Sequence, residues 1–125
     1  MEEEFQHGIA LPELHELECF FECDVELAEP DEPWLHNHSI VFRSDHGDDV
    51  VLVMLAPMHS DARVAWTKGG QKVVNLELSY VKRVRLESHE NQEHLCFDFF
   101  PATHINTLRL KLRPHATVDW SMELA

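Results

Sequence analysis

The sequence predicts a mainly β fold: an antiparallel sandwich, a partly open barrel or a curved sheet of about eight or nine strands with little helix, a β-rich α+β arrangement being the nearest alternative. Three observations carry this expectation. Apolar and polar residues alternate with period two through most of the chain, turn-forming residues recur about every ten positions, and helical spacing shows in one short segment only.

Taken in order, Leu11–Leu17 has helical spacing at Leu11 and Leu14 but is short for a stable helix. Cys19, Phe21, Cys23, Val25 and Leu27 then alternate with Phe20, Glu22, Asp24 and Glu26, which predicts a long first strand whose outward face, Phe20 apart, is carboxylate. Residues 28–33, broken by Pro30 and Pro33, read as a surface loop. Ile40–Arg43 and Val50–Ala56 flank Asp45-His46-Gly47-Asp48 as a hairpin, and the unbroken apolar run of the second segment predicts burial on both faces.

Ala62–Trp66 and Lys72–Tyr80 form a second hairpin around Thr67-Lys68-Gly69-Gly70-Gln71, where glycine supplies the positive φ of a tight reversal. Val84 and Leu86 continue the even-numbered apolar face of Val74, Leu76, Leu78 and Tyr80. Lys82 interrupts it, which predicts a bulge or bend. The polar turn Ser88–Glu93 leads into Leu95, Phe97 and Phe99. Leu108, Leu110 and Leu112, then Ala116, Val118, Trp120, Met122 and Leu124, close the chain as a hairpin about Arg113-Pro114-His115.

The 125 residues fit a single β-rich domain, residues 1–125, and 44% hydrophobic content is too high for wholesale disorder despite a net charge of −13. The longest apolar run, Val50–Ala56, is far short of the ~20 residues that span a bilayer. Met1-Glu2-Glu3-Glu4 is the opposite of a basic secretory n-region, so the expected location is cytoplasmic. Three cysteines make poor evidence for a disulfide framework. On one strand, Cys19 and Cys23 lie about 13 Å apart, beyond disulfide reach, and read as buried small hydrophobes. Cys96, between Leu95 and Phe97, reads as a packed strand residue.

Charge is segregated along the chain. Residues 1–61 carry 16 carboxylates and one cation, Arg43, whereas residues 62–125 carry seven carboxylates and nine cations. Residues 1–32 hold twelve Asp or Glu and no Lys or Arg. Such a surface repels nucleic-acid phosphates and anionic lipid and favours a basic protein partner, a toxin or a nucleic-acid-binding protein for example; direct nucleic-acid or membrane binding is not expected. Glu18, Glu22, Asp24 and Glu26 are the candidate partner-binding residues. With Glu16 they are spaced on a strand so that alternate carboxylates, about 6.6 Å apart, could imitate a phosphate track. The alternative is an ordinary sheet surface, neutralised across strands by Arg109, Lys111 and Arg113 or by Arg83 and Arg85. Those five cations cannot balance twelve carboxylates.

Ten histidines are an excess. His36-Asn37-His38 is the one close pair, which if extended turns both imidazoles to one face, with His46, His59 and Asp61 as further candidates for an incomplete metal site. Surface histidine is the favoured reading, and no metal, cofactor or catalytic residue is assigned. The chain has no phosphate-binding glycine loop, nucleophile elbow, H-E-x-x-H or C-x-x-C.

The segment from Val73 to Leu124, with its strand region Val81–Glu87, the polar turn Ser88-His89-Glu90-Asn91-Gln92 and the closing Trp120-Ser121-Met122-Glu123, resembles small immunity proteins of bacterial polymorphic-toxin systems. The shared features are mostly strand pattern over under half of the chain, so no functional residue is carried over. The resemblance implies an antitoxin-like protein that binds and blocks a cognate toxin. An immunity or inhibitor protein is thus the leading expectation. A small β-barrel metal-binding protein or enzyme using the histidines, and a structural subunit that oligomerises, are the alternatives.

Overall fold

The computed structural model describes residues 8–101 and 105–122. Met1–Glu4, Glu123 and Leu124, which entered the expectations above, lie outside them.

One short helix precedes two antiparallel sheets. The helix α1 spans Leu14–Phe21, and the first sheet has the order β1 (Glu26–Leu27), β2 (Ile40–His46), β3 (Asp49–Ala56), β4 (Asp61–Lys68), β5 (Gln71–Leu78). The second follows as β6 (Val81–His89), β7 (Gln92–Phe99), β8 (Ile105–Lys111) and β9 (Thr117–Met122). The mainly β expectation holds, with two open sheets and no closed barrel among the described residues. Each expected hairpin is present, and the register slips between Val81 and Arg83, where Lys82 interrupts the apolar alternation.

The register explains the core. Cross-strand partners share a face, so Ile40, Leu55, Ala62 and Leu78 form one inward row and Phe42, Val53, Val64 and Leu76 the next. From the second sheet, Val84, Phe97 and Leu108 and then Leu86, Leu95, Leu110 and Val118 line up in the same way. Both sets belong to one hydrophobic cluster, completed by Leu17, Phe20 and Phe21 of α1. Phe21 stacks on Phe42 with ring centroids 5.0 Å apart, which seats the helix on β2.

Several polar ties join the sheets, among them one at Asp49 and one at Ile9–Ala10. Asp49, buried at the start of β3, accepts a hydrogen bond from Trp66 Nε1 at 2.9 Å. That bond, Lys68, and the Ala116 N–H from beside β9 hold its carboxyl below the usual range against the opposing effect of burial. At the other tie, Ile9 N–H donates to the Pro57 carbonyl while Ala10 bridges to Arg83 of β6. Gly8 permits this approach: it has φ +64°, and a Cβ there would sit 1.7 Å from the Pro57 oxygen.

Four expectations are corrected. The long first strand at Cys19–Leu27 does not form: its first third ends α1, Glu22 caps the helix in left-handed conformation (φ 56°), and only Glu26 and Leu27 pair as β1. The strand-based separation of Cys19 and Cys23 therefore does not apply, and Cys19 is exposed and Cys23 half-buried, not packed in the core. β3 is not covered on both faces: Val51, Val53 and Leu55 are buried, whereas Val50, Leu52, Met54 and Ala56 are only partly so. Tyr80, expected on an apolar strand face, instead turns the chain between the sheets with φ 63° and is 59% exposed.

Candidate partner-binding site

The four acidic residues singled out in the sequence come together, but not as a strand face. Glu18 sits in the last turn of α1, Glu22 is its C-cap, Asp24 lies in the connecting loop and Glu26 opens β1, at the edge of the first sheet. The evenly spaced carboxylate track is therefore absent; Glu16, also part of it, accepts the Glu13 N–H at the helix start. Yet Glu18, Asp24 and Glu26 all act on the Cys23 thiol, whose pKa is raised first by burial and then by these three carboxylates, against the lowering effect of the Arg43 N–H bonded to its sulfur. The chain reversal at Glu22 thus gathers the acids into a compact patch.

Their environments differ. Glu18 is a structural anchor, its Oε2 accepting the Val25 N–H at 2.9 Å and fixing the loop that delivers Asp24 and Glu26. Glu22 meets one cation, Arg113, at 3.7 Å; the same guanidinium lies 3.8 Å from Glu93 and 5.7 Å from the centre of the Phe20 ring. The expectation that no local cation neutralises the four therefore fails at Glu22, and Arg43 lies near enough to Glu26 to be influenced by it. Asp24 and Glu26 are exposed and, among the described residues, hold no side-chain hydrogen bond or ion pair.

Most of the basic residues considered as neutralisers turn instead to the outer face of the second sheet, which the sequence reading missed. Asp98, 9% exposed, accepts hydrogen bonds from Arg85 Nε at 2.7 Å, Arg83 Nε at 3.0 Å and Thr107 Oγ1 at 2.9 Å. Burial raises its pKa, but these bonds outweigh it and leave the carboxyl below its ordinary value. Next to it, Arg109 lies within 4 Å of both Glu87 and Asp119. The Cys96 thiol donates to Glu87 at 3.5 Å, and burial pushes it up to about 11. The period-two pattern Arg83, Arg85, Glu87 was the available signal; it showed a polar face but not which strands adjoin it.

The histidine pair is separated chemically. His36 ends a 3₁₀ turn, Trp34–His36, and is exposed, while His38 Nδ1 bonds Glu29 at 2.9 Å and holds that carboxyl below its usual range. The buried residue between them, Asn37, donates to the Pro33 carbonyl at 3.1 Å and accepts the Glu29 N–H, closing the loop. His46 and His59 are exposed on the β2–β3 hairpin and the β3–β4 connection, and Asp61 opens β4. Among the described residues, no group of three or more His, Cys, Asp or Glu is placed to hold a metal ion. None of their helices is long and apolar enough to cross a membrane.

The fold has a solved counterpart. The chain superposes on a chain of a contact-dependent growth inhibition toxin–immunity protein complex from Klebsiella pneumoniae 342, with a TM-score of 0.76 and 12% identity, over 92% of this chain and 97% of the other. At that identity the likeness is one of fold. No family model and no curated protein matches the sequence.

Proposed function

We propose that this chain is an immunity or inhibitor protein: a single cytoplasmic binding domain, not an enzyme, that neutralises a basic protein partner such as a toxin or nuclease. The observation that carries the reading is the acidic patch formed by α1, its C-cap loop and β1. Glu18 braces the loop, and Asp24 and Glu26 stand exposed without a side-chain hydrogen bond or ion pair among the described residues. A patch so charged attracts a basic surface and repels phosphate, the pattern expected of a protein that blocks another protein and does not itself touch nucleic acid. The fold shared with a chain of a toxin–immunity complex supports the same reading.

In this role Asp24 and Glu26 meet the partner's cations, Glu22 contributes after exchanging its long contact with Arg113, and Glu18 keeps the loop in place. The test is protection. Cells producing a candidate toxin domain taken from the genes that flank this one should grow when this chain is co-produced, and the two should co-purify. Growth arrest with this chain folded and abundant, and no complex, would contradict the proposal.

A further inference from the structure

The outer face of the first sheet carries an apolar centre that the described residues leave uncovered. Val41 of β2, Val50, Leu52, Met54 and Ala56 of β3, and Ala65 of β4 are all partly exposed, stand outside the hydrophobic core cluster and lie on adjacent strands. The register makes them neighbours: Val41 pairs with Met54, and Leu52 with Ala65. Beside them an open hollow of about 300 Å³ is lined by Met54, Ala56, Arg63 and Glu77 among others. β3 has the composition of a strand covered on both sides, yet among the described residues only one side is covered.

We infer that this face is the contact between two copies of the chain, packed sheet on sheet about a two-fold axis. Charge selects the occupant. A chain of net charge −13 repels its own copy over most of its surface. Around this apolar centre, however, the cations Arg43, Arg63 and Lys72 stand with the carboxylates Asp45, Asp61 and Glu77, a local balance of zero, and Glu26 of the α1–β1 patch marks its β1 edge. An apolar middle ringed by both signs is self-complementary under a two-fold, which sets each rim against its own image. A strongly basic partner gains nothing from a balanced rim and is drawn to the α1–β1 patch. The area sets the strength: four strands of about eight residues cover roughly 26 by 19 Å, on the order of 500 Å² per copy, and doubling this gives about 1,000 Å², in the range of weak, transient interfaces. The dimer is therefore concentration-dependent. This inference does not rest on the proposed function and requires no toxin.

Sedimentation velocity of the chain alone, from about 5 µM to about 500 µM, should show a monomer giving way to a dimer. The L52K/M54K double variant should weaken association by at least about 30-fold while keeping the circular dichroism spectrum and melting temperature. Lysine is chosen because it lowers the net negative charge, so that lost association cannot be blamed on added repulsion. Should those lysines unfold the sheet, L52S/M54T gives the same comparison. A chain that stays monomeric throughout, or a dimer indifferent to either variant, overturns the inference. So does a monomer whose Leu52 and Met54 variants lose affinity only for a different protein, since the face would then belong to that protein.

Discussion

Replacing Asp98 with asparagine removes the charge from the most heavily used carboxylate in the second sheet while keeping its shape. Asp98 accepts two bonds from Arg85, at 2.7 and 3.3 Å, one from Arg83 at 3.0 Å and one from Thr107 at 2.9 Å. The Arg83 side chain is 52% exposed and recovers most of its loss by hydration, so its share is small. Arg85 is 34% exposed and bound through two nitrogens, and a charge-assisted bond of this kind is worth about 1.5–3 kcal/mol. The amide introduced by Asp98→Asn also points donors at donors. With the Thr107 bond weakened, the expected loss is about 2–4 kcal/mol, or roughly 8–16 °C in melting temperature for a chain of this size. Urea denaturation at pH 7 should show a lower midpoint at unchanged slope. Because the folded carboxyl titrates below its unfolded value, its stabilisation is present above the unfolded pKa of about 4 and fades as pH falls through the folded one. The gap between Asp98→Asn and the parent should therefore close in acid. A loss under about 0.5 kcal/mol at pH 7, or a gap that does not depend on pH, would refute this account of the network.

Asn37→Ala should cost about 1–2 kcal/mol, because the buried Asn37 side chain closes a largely exposed loop through the Glu29 N–H and the Pro33 carbonyl, whereas His36→Ala beside it should be nearly neutral in the same denaturation assay. Gly8→Ala should release the segment around Ile9, since its Cβ overlaps the Pro57 oxygen at 1.7 Å; faster hydrogen exchange at the Ile9 and Ala10 amides is the readout. Of the three thiols, exposed Cys19 should react first with a thiol reagent at pH 8, Cys23 more slowly, and Cys96, with its pKa pushed up to about 11, only on unfolding. Reaction of Cys96 in the folded chain as fast as Cys19 would show that it is not buried.

The strands from β2 onward were legible because each has one face in the core and a turn at its end, so alternation and punctuation agree. The first element was not, because both periods fit it. Cys19, Phe21, Cys23, Val25 and Leu27 alternate, while Leu14, Leu17, Phe20 and Phe21 stand at i, i+3, i+6 and i+7. The three aromatic and leucine anchors Leu17, Phe20 and Phe21 decide for the helix, since all are buried against the core and a strand would have turned Phe20 to water among carboxylates. Its boundaries were hidden as well: Glu13 at the N-cap and Glu22 in left-handed conformation at the C-cap are not the residues that usually mark those positions. Of the candidate site, the sequence showed which carboxylates belong together. It did not show that Glu18 is committed to the Val25 N–H or that Arg113 reaches Glu22, because both depend on the reversal at the helix end. The polar outer face of the second sheet was visible as alternation, but pairing Asp98 with Arg83 and Arg85 required knowing that β7 lies between β6 and β8.

Partner capture through the α1–β1 acidic patch is tested most directly by association kinetics with the protein that co-purifies with this chain. The comparison is between the parent and an Asp24→Asn/Glu26→Gln variant that leaves the Glu18 anchor intact. Charge at such a patch accelerates encounter and is screened over about 8 Å at physiological ionic strength. The account predicts that stopped-flow mixing at low salt shows association at least about threefold slower for the variant, with a shallower dependence on salt. Equal rates and equal salt dependence for the two proteins would contradict it, and would place recognition elsewhere on the surface.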